Sequence, residues 1–152
     1  MPEEIGFVHI AKANRLSGKP IKLKGKEYTP VFQRIEAFRR VFPCGFIKTE
    51  LASNENGVCV FRAFVGYKDK SGEKCVLGVG TACEKENSSM VNRTNYIENC
   101  ETSAVGRALG MAGFGIETSI ASAEDMYAVL NTTNRVQNNV KRCGEDGRQK
   151  AD

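Results

Sequence analysis

The sequence predicts an α+β fold: a three-stranded antiparallel β-meander with a long helix packed across one face, a β-β-β-α core preceded by a helix and followed by a short one. Three observations predict it. Three strand-like runs, 46–52, 58–67 and 74–83, are separated by the turn sequences SNENG and KDKSG. A helix-like run, NYIENCETSAVGRALGMAGFGI over 95–116, brings Ser103, Gly106, Gly110 and Gly113 onto one narrow face. Gly78 and Gly80 share a face of the third strand, which marks close approach by another backbone. The bare helix face is the expected partner of those glycines. Two mid-helix glycines each cost about 1 kcal/mol relative to alanine, a cost that close packing accounts for.

Taken in order, residues 1–27 are weakly patterned, and KPIKLKGK over 19–26 reads as an extended edge strand or a basic arm. Thr29-Pro30 opens a helix in which Phe32, Ile35, Phe38 and Phe42 recur at helical spacing, and Pro43 and Gly45 stop it. Arg34, Arg39 and Arg40 project away from the centre of that stripe. The second strand, VCVFRAFVGY, is apolar nearly throughout except for Arg62 and is expected to be central. A polar loop over 84–94 carries Lys85 and Arg93. Asn95 and Glu98 are placed to form a capping box at the long helix. Residues 122–131 read as a short last helix, and the polar residues 132–152 as a disordered tail. The expected organisation is an arm over 1–27, a core over 28–131 and the tail.

The charge is unevenly placed. Of the net +4, residues 1–45 carry nine Lys/Arg against four acids, a surplus of five, which leaves thirteen against fourteen in the remainder. A basic N-terminal third on a balanced body suits a polyanion partner, although a solubilising face explains the same distribution. No apolar run approaches a membrane span, and the acidic start MPEE is unlike a secretory signal. A cytoplasmic location is expected, the host cytoplasm if the chain is phage-encoded.

Catalytic and cofactor signals are missing. The six cysteines form no C-x-x-C pair and His9 is the single histidine, so neither a zinc site nor a serine triad is indicated. GRALGMAGFG is glycine-rich but lacks the lysine of a phosphate-binding loop. The acids of Glu98/Glu101 and Glu124/Asp125 sit near helix starts, where the dipole accounts for them. No enzyme activity, metal or cofactor is expected.

The run from Tyr28 to Ile116 resembles the single-strand annealing proteins, the superfamily joining phage Erf-type recombinases to the eukaryotic repair annealase. The likeness lies in the first helix ending at FPCGF, in the meander FRAFVGYKDKSGEKCVLGVGTA and in YIENCETSAVGRALGMAGFGI. The resemblance implies ATP-independent binding and annealing of single-stranded DNA for phage-type homologous recombination and repair. It also implies a homo-oligomeric ring or helical filament with a basic groove. A phage or host single-strand binding protein is a further expected partner; a membrane is not.

By the resemblance, Arg107 and Arg34 align with arginines that contact DNA, and Lys85 and Arg93 fall where more basic contacts are expected. Arg39, Arg40, Lys22, Lys24, Lys26 and Arg62 complete the candidate DNA-binding set. For Arg107, the spacing alone favours a merely solvated side chain. Gly106 and Gly110 stand where the eukaryotic form has basic residues. That departure leaves a second class open: an oligomer of this fold that captures a protein or a small nucleotide, as an inhibitor or sponge.

Overall fold

The structure is a computed structural model, and it describes residues 5–116. The expected last helix over 122–131 and the tail over 132–152 lie outside those residues. Among the described residues the fold is mixed α+β, with three helices, one 3-10 turn and two antiparallel sheets of two and three strands. Helix α1 (Phe7–Leu16) leads into a hairpin, β1 (Ile21–Leu23) and β2 (Lys26–Tyr28). Helix α2 (Val31–Val41) follows, then the meander β3 (Phe46–Glu55), β4 (Val58–Lys68) and β5 (Lys74–Lys85), then a 3-10 turn (Val91–Arg93) and helix α3 (Tyr96–Met111).

The meander is the part the pattern predicted best. β4 is central, paired antiparallel with β3 and β5, and Asn56-Gly57 supplies the two positive-φ positions of the first turn. The second turn is held by Asp69, whose Oδ1 accepts from the Ser71 amide, the Ser71 hydroxyl and the Glu73 amide at 2.9, 2.7 and 2.9 Å. Side chains alternate along β4 as far as Val65, where the pairing with β5 shifts register. Cys59, Phe61, Ala63 and Val65 are buried under α3, while Arg62 between them is exposed.

Gly78 and Gly80 do face α3. A methyl group at Gly80 would collide with the Ala104 carbonyl and the Ala108 amide, and one at Gly78 with the Ala108 carbonyl. The helix surface that meets them is Ala104, Ala108 and Ala112, however, and not Gly106 of the glycine stripe. Gly106 points at α2, where an added Cβ would lie 2.7 Å from Val31 Cγ2, and Gly113 faces Ile10 of α1. Small residues thus line α3 on two sides, because a sheet presses on one and a helix on the other.

Residues 5–27 are not an extended arm. Ala13 of α1 belongs to the same buried cluster as Phe38, Val65 and Leu109. Asn14 fastens α1 to the end of α3, its Nδ2 donating to the Gly113 carbonyl at 3.2 Å and its Oδ1 accepting from the Gly115 amide at 3.2 Å. The hairpin turns on Lys24 and Gly25, both at positive φ (47° and 76°). That is the two-residue geometry matching strand twist, with lysine in the place asparagine usually takes.

The expected caps also differ in detail. Pro30 itself occupies the N-cap of α2, and Asn95 sits at the N-cap of α3, but neither helix start is closed by a side-chain hydrogen bond. The polar loop after β5 is ordered by Asn92, which is buried. Its Nδ2 donates to Glu84 Oε2 (2.6 Å) and Ser88 Oγ (2.8 Å), and its Oδ1 accepts from Asn99 Nδ2 (2.9 Å). Satisfying every polar atom of a buried amide fixes a loop as firmly as apolar packing does.

Candidate nucleic-acid interface

The ten basic residues singled out from the sequence fall into five places. Arg34 is buried, with 1% of its surface exposed. Its Nε donates to the Thr29 carbonyl at 3.4 Å and its Nη1 to the Gly106 carbonyl at 3.2 Å. The guanidinium therefore ties α2 to the middle of α3, and burial removes it from any groove reached by a ligand. A single arginine on a helix gives no sequence signal of which way it turns; the small Gly106 opposite, which exposes its own carbonyl, was the available clue.

Arg107 is exposed on α3, with its Cβ beside Gly80 at the β5 margin. Lys85 and Arg93 are exposed at the ends of the loop that Asn92 orders. Arg62 is exposed on the sheet face turned away from α3, opposite Glu50 and Thr81. The structure does not bring these four together into one channel. Their surroundings are acidic as often as basic: residues 46–116 hold eight Lys/Arg and eight Asp/Glu.

The remaining candidates, on the hairpin and at the end of α2, belong to one cation-rich lobe. Between residues 5 and 45 there are nine Lys/Arg against two glutamates, a surplus of seven, and every one of the nine except Arg34 is exposed. Three elements carry them. α1 presents Lys12 and Arg15, the hairpin and its approach present Lys19, Lys22, Lys24 and Lys26, and the last turn of α2 presents Arg39 and Arg40. The elements are fixed to one another, since α1 packs on α2 and Gln33 Nε2 of α2 donates to the Lys19 carbonyl at 3.2 Å.

A cleft of about 400 Å³ runs between α1 and the end of α2, lined by Ile5, His9, Lys12, Ala13, Leu16, Arg40 and Val41. Its walls are apolar and its rim is basic. Lys12 comes from one helix and Arg40 from the other, so a phosphate in the cleft would meet cations from both sides. Arg40 is held in place by Glu36 one turn earlier, Nη2 to Oε1 2.7 Å, an exposed pair that contributes orientation more than energy. His9 Nδ1 accepts from the Gly6 amide at 3.1 Å, which closes the first turn of α1. Arg39 donates to the Gly45 carbonyl and lies over the Phe38 ring, 5.4 Å from its centroid. His9 and Lys12 escaped the sequence reading because the helix that carries them did; the pattern FVHIAKANRL has exposed apolar residues at Phe7, Val8 and Leu16 and no clean stripe.

Among the described residues no group of His, Cys, Asp and Glu is placed to hold a metal ion, and no helix is long and apolar enough to cross a membrane. The thiol of Cys100 is sealed between α3 and the sheet, and burial, with the hydrogen bond it donates to Cys59 next, pushes it up to about 12. Such a thiol is inert packing, not a nucleophile.

These features define a small α+β domain with a charge-balanced meander core and a basic helical lobe. Residues 35–112, just over half of the chain, match the family described as Slr1353 N-terminal dsRNA-binding domain-like, and the chain belongs to that family. The matched span runs from α2 to the end of α3. This overturns the annealase resemblance, because the stretch that suggested an Erf-type protein is the stretch assigned to a different family. No curated protein and no solved structure matches the chain.

Proposed function

We propose that the protein is a non-catalytic nucleic-acid-binding module that grips the backbone of an RNA duplex through its N-terminal lobe. The observation that carries the reading is the segregation of charge: seven surplus positive charges on residues 5–45, with eight of the nine cations exposed, against none on residues 46–116. Backbone binding needs clustered Lys/Arg and little base readout. The family description supplies the duplex, since domains of that kind recognise A-form shape and contact phosphates across about 16 base pairs. In this reading Lys12 and Arg40 clamp a phosphate from the two sides of the α1/α2 cleft. Lys22, Lys24 and Lys26 reach a second point along the duplex from the hairpin.

The test is titration of labelled RNA duplex, DNA duplex and single strands at rising salt, with the parent chain and with Lys12→Gln/Arg40→Gln. The expected result is tightest binding to duplex RNA, a log–log salt slope of several units, and about tenfold weaker binding by the variant. Affinity that ignores salt, or is unchanged in the variant, would overturn the reading. Preference for single-stranded DNA with acceleration of annealing would return the function to the annealing class; capture of a protein or free nucleotide without any oligonucleotide binding would move it to the sponge class.

A further inference from the structure

The face of the meander turned away from α3 is covered by no described helix. By strand register it carries Phe46, Lys48, Glu50, Ser53 and Glu55 on β3, then Val58, Val60, Arg62, Phe64, Gly66 and Lys68 on β4. On β5 it carries Lys74, Val76, Val79, Thr81, Cys83 and Lys85. Five of these residues are basic and two are acidic, so a core that is neutral as a whole is positive on this side. One acid is already engaged: Glu50 lies 2.8 Å from Lys48 Nζ, which holds its carboxyl below the usual range, with Arg62 opposite.

The face is also apolar and open, with Val76 and Val79 exposed by 53% and 43%. Its aromatic rings have a specific arrangement. Phe46 pairs with Gly66, and a Cβ at Gly66 would come 2.8 Å from Phe46 Cζ, so the ring lies across the backbone of β4 where only glycine leaves room. The Lys74 ammonium sits over that ring, 5.8 Å from its centroid. Phe64 stands one step along β4, between Lys48 and Val79.

We propose that this open sheet face is a second nucleic-acid site, one that takes a single strand, with Phe46 and Phe64 as stacking platforms and Arg62, Lys74, Lys68 and Lys48 along the sugar–phosphate track. Stacked bases on sheet aromatics with flanking cations give sequence-tolerant binding of single strands. A duplex cannot use such a surface, because its bases are already stacked. Charge decides against an apolar protein partner: a ring under an ammonium and five cations on one face suit a polyanion. The site lies on the opposite side of the sheet from α3 and from the helices stacked on it, so it is separate from the duplex site proposed above and does not depend on it.

The experiment titrates oligo-U and oligo-dT of about 12 nucleotides, within the site sizes of single-strand-binding folds, into the full chain. The variants are Arg62→Gln/Lys74→Gln, Phe46→Leu and, as a control, Lys12→Gln/Arg40→Gln. The expected result is single-strand binding about tenfold weaker in each sheet variant and unchanged in the control. Either sugar supports the site; a preference between them distinguishes an RNA from a DNA occupant. Backbone amide shifts of the parent chain on adding oligo-U, which need no variant to fold, should fall on Arg62, Phe64, Gly66 and Val79. Shifts confined to α1 and the hairpin would overturn the proposal. So would sheet variants that bind single strands normally, or whose only effect is a change in the mass of the protein in solution, which would assign the face to a second copy of the chain.

Discussion

Residues 5–45 and residues 46–116 solve different problems. The meander and α3 are held by shape. Strands and helix come so close that glycine or alanine is required at the crossing, and charges cancel. The N-terminal lobe gives Ala13, Val31, Phe38 and Phe42 to the shared core and adds a few specific ties, namely Asn14 to the Gly113 carbonyl and Gly115 amide, Arg34 to the Gly106 carbonyl, and Gln33 to the Lys19 carbonyl. Its surface is left for cations. A polar tie costs little core volume, so short helices and a hairpin of three-residue strands can be attached without a second core, and their outward side chains remain free to carry charge. Where close packing dominates, a substitution is paid for in stability; where ties dominate, the same change is felt in binding.

Four measurements sharpen or break that contrast. The largest effect is expected for Gly80→Leu, which drives a side chain into the α3 backbone at Ala104 and Ala108. Overpacking of this kind costs about 3 kcal/mol or more, and chemical denaturation should show a strongly destabilised or unfolded protein. A near-parental midpoint would mean that the sheet–helix contact is looser than described. Gly106→Leu comes next. It pushes Val31, and with it α2, off α3 and disturbs the Arg34 tie, for a loss of about 1–3 kcal/mol. Hydrogen exchange should rise in α1 and α2 while β4 amides stay protected; uniform loss of protection would deny that the lobe is attached separately.

Replacing Lys22, Lys24 and Lys26 together by Gln should leave the melting temperature within a few degrees and lower the magnitude of the salt slope by about 2–3, at somewhat less than one unit per lost phosphate contact. An unchanged slope would take the hairpin out of the interface. The smallest effect concerns the Asp69 turn. Its carboxyl is held below the usual range first by the Ser71 hydroxyl and then by the Glu73 amide. A lowered folded-state pKa contributes stability that is present above the unfolded value, near pH 4, and is lost as pH falls through the folded value. Asp69→Asn should lower neutral stability slightly and leave stability below the folded value almost unchanged, so that acid unfolding is flatter, read by urea midpoints across pH.

Much of the meander was legible because strand alternation, an Asn-Gly turn and two glycines two residues apart are local signals, each with one physical meaning. The features that were not legible depend on what lies opposite. Arg34 looks like any solvated arginine until Gly106 is seen to offer its carbonyl. A glycine in α3 announces close approach but not which neighbour approaches, and for Gly106 the neighbour turned out to be α2. The hairpin hid because three-residue strands carry too little pattern and Lys-Gly is an uncommon choice for its turn. Of the candidate site, the cations of the hairpin and of α2 could be read from charge alone. His9 and Lys12 could not, since the cleft they line exists only once α1 is folded against α2.

Cys100 donates its thiol proton toward the carbonyls of Cys59 and Ala82 at 3.3 and 3.4 Å, beneath α3 and across two strands, while Cys44 and Cys83 face solvent. A maleimide can therefore modify the outer pair at once but must wait for the helix to lift before it meets the inner sulfurs. The chain thus carries its own clock for the opening of its tightest seam, and whatever grips either face of the folded form would slow that clock without touching the sulfurs.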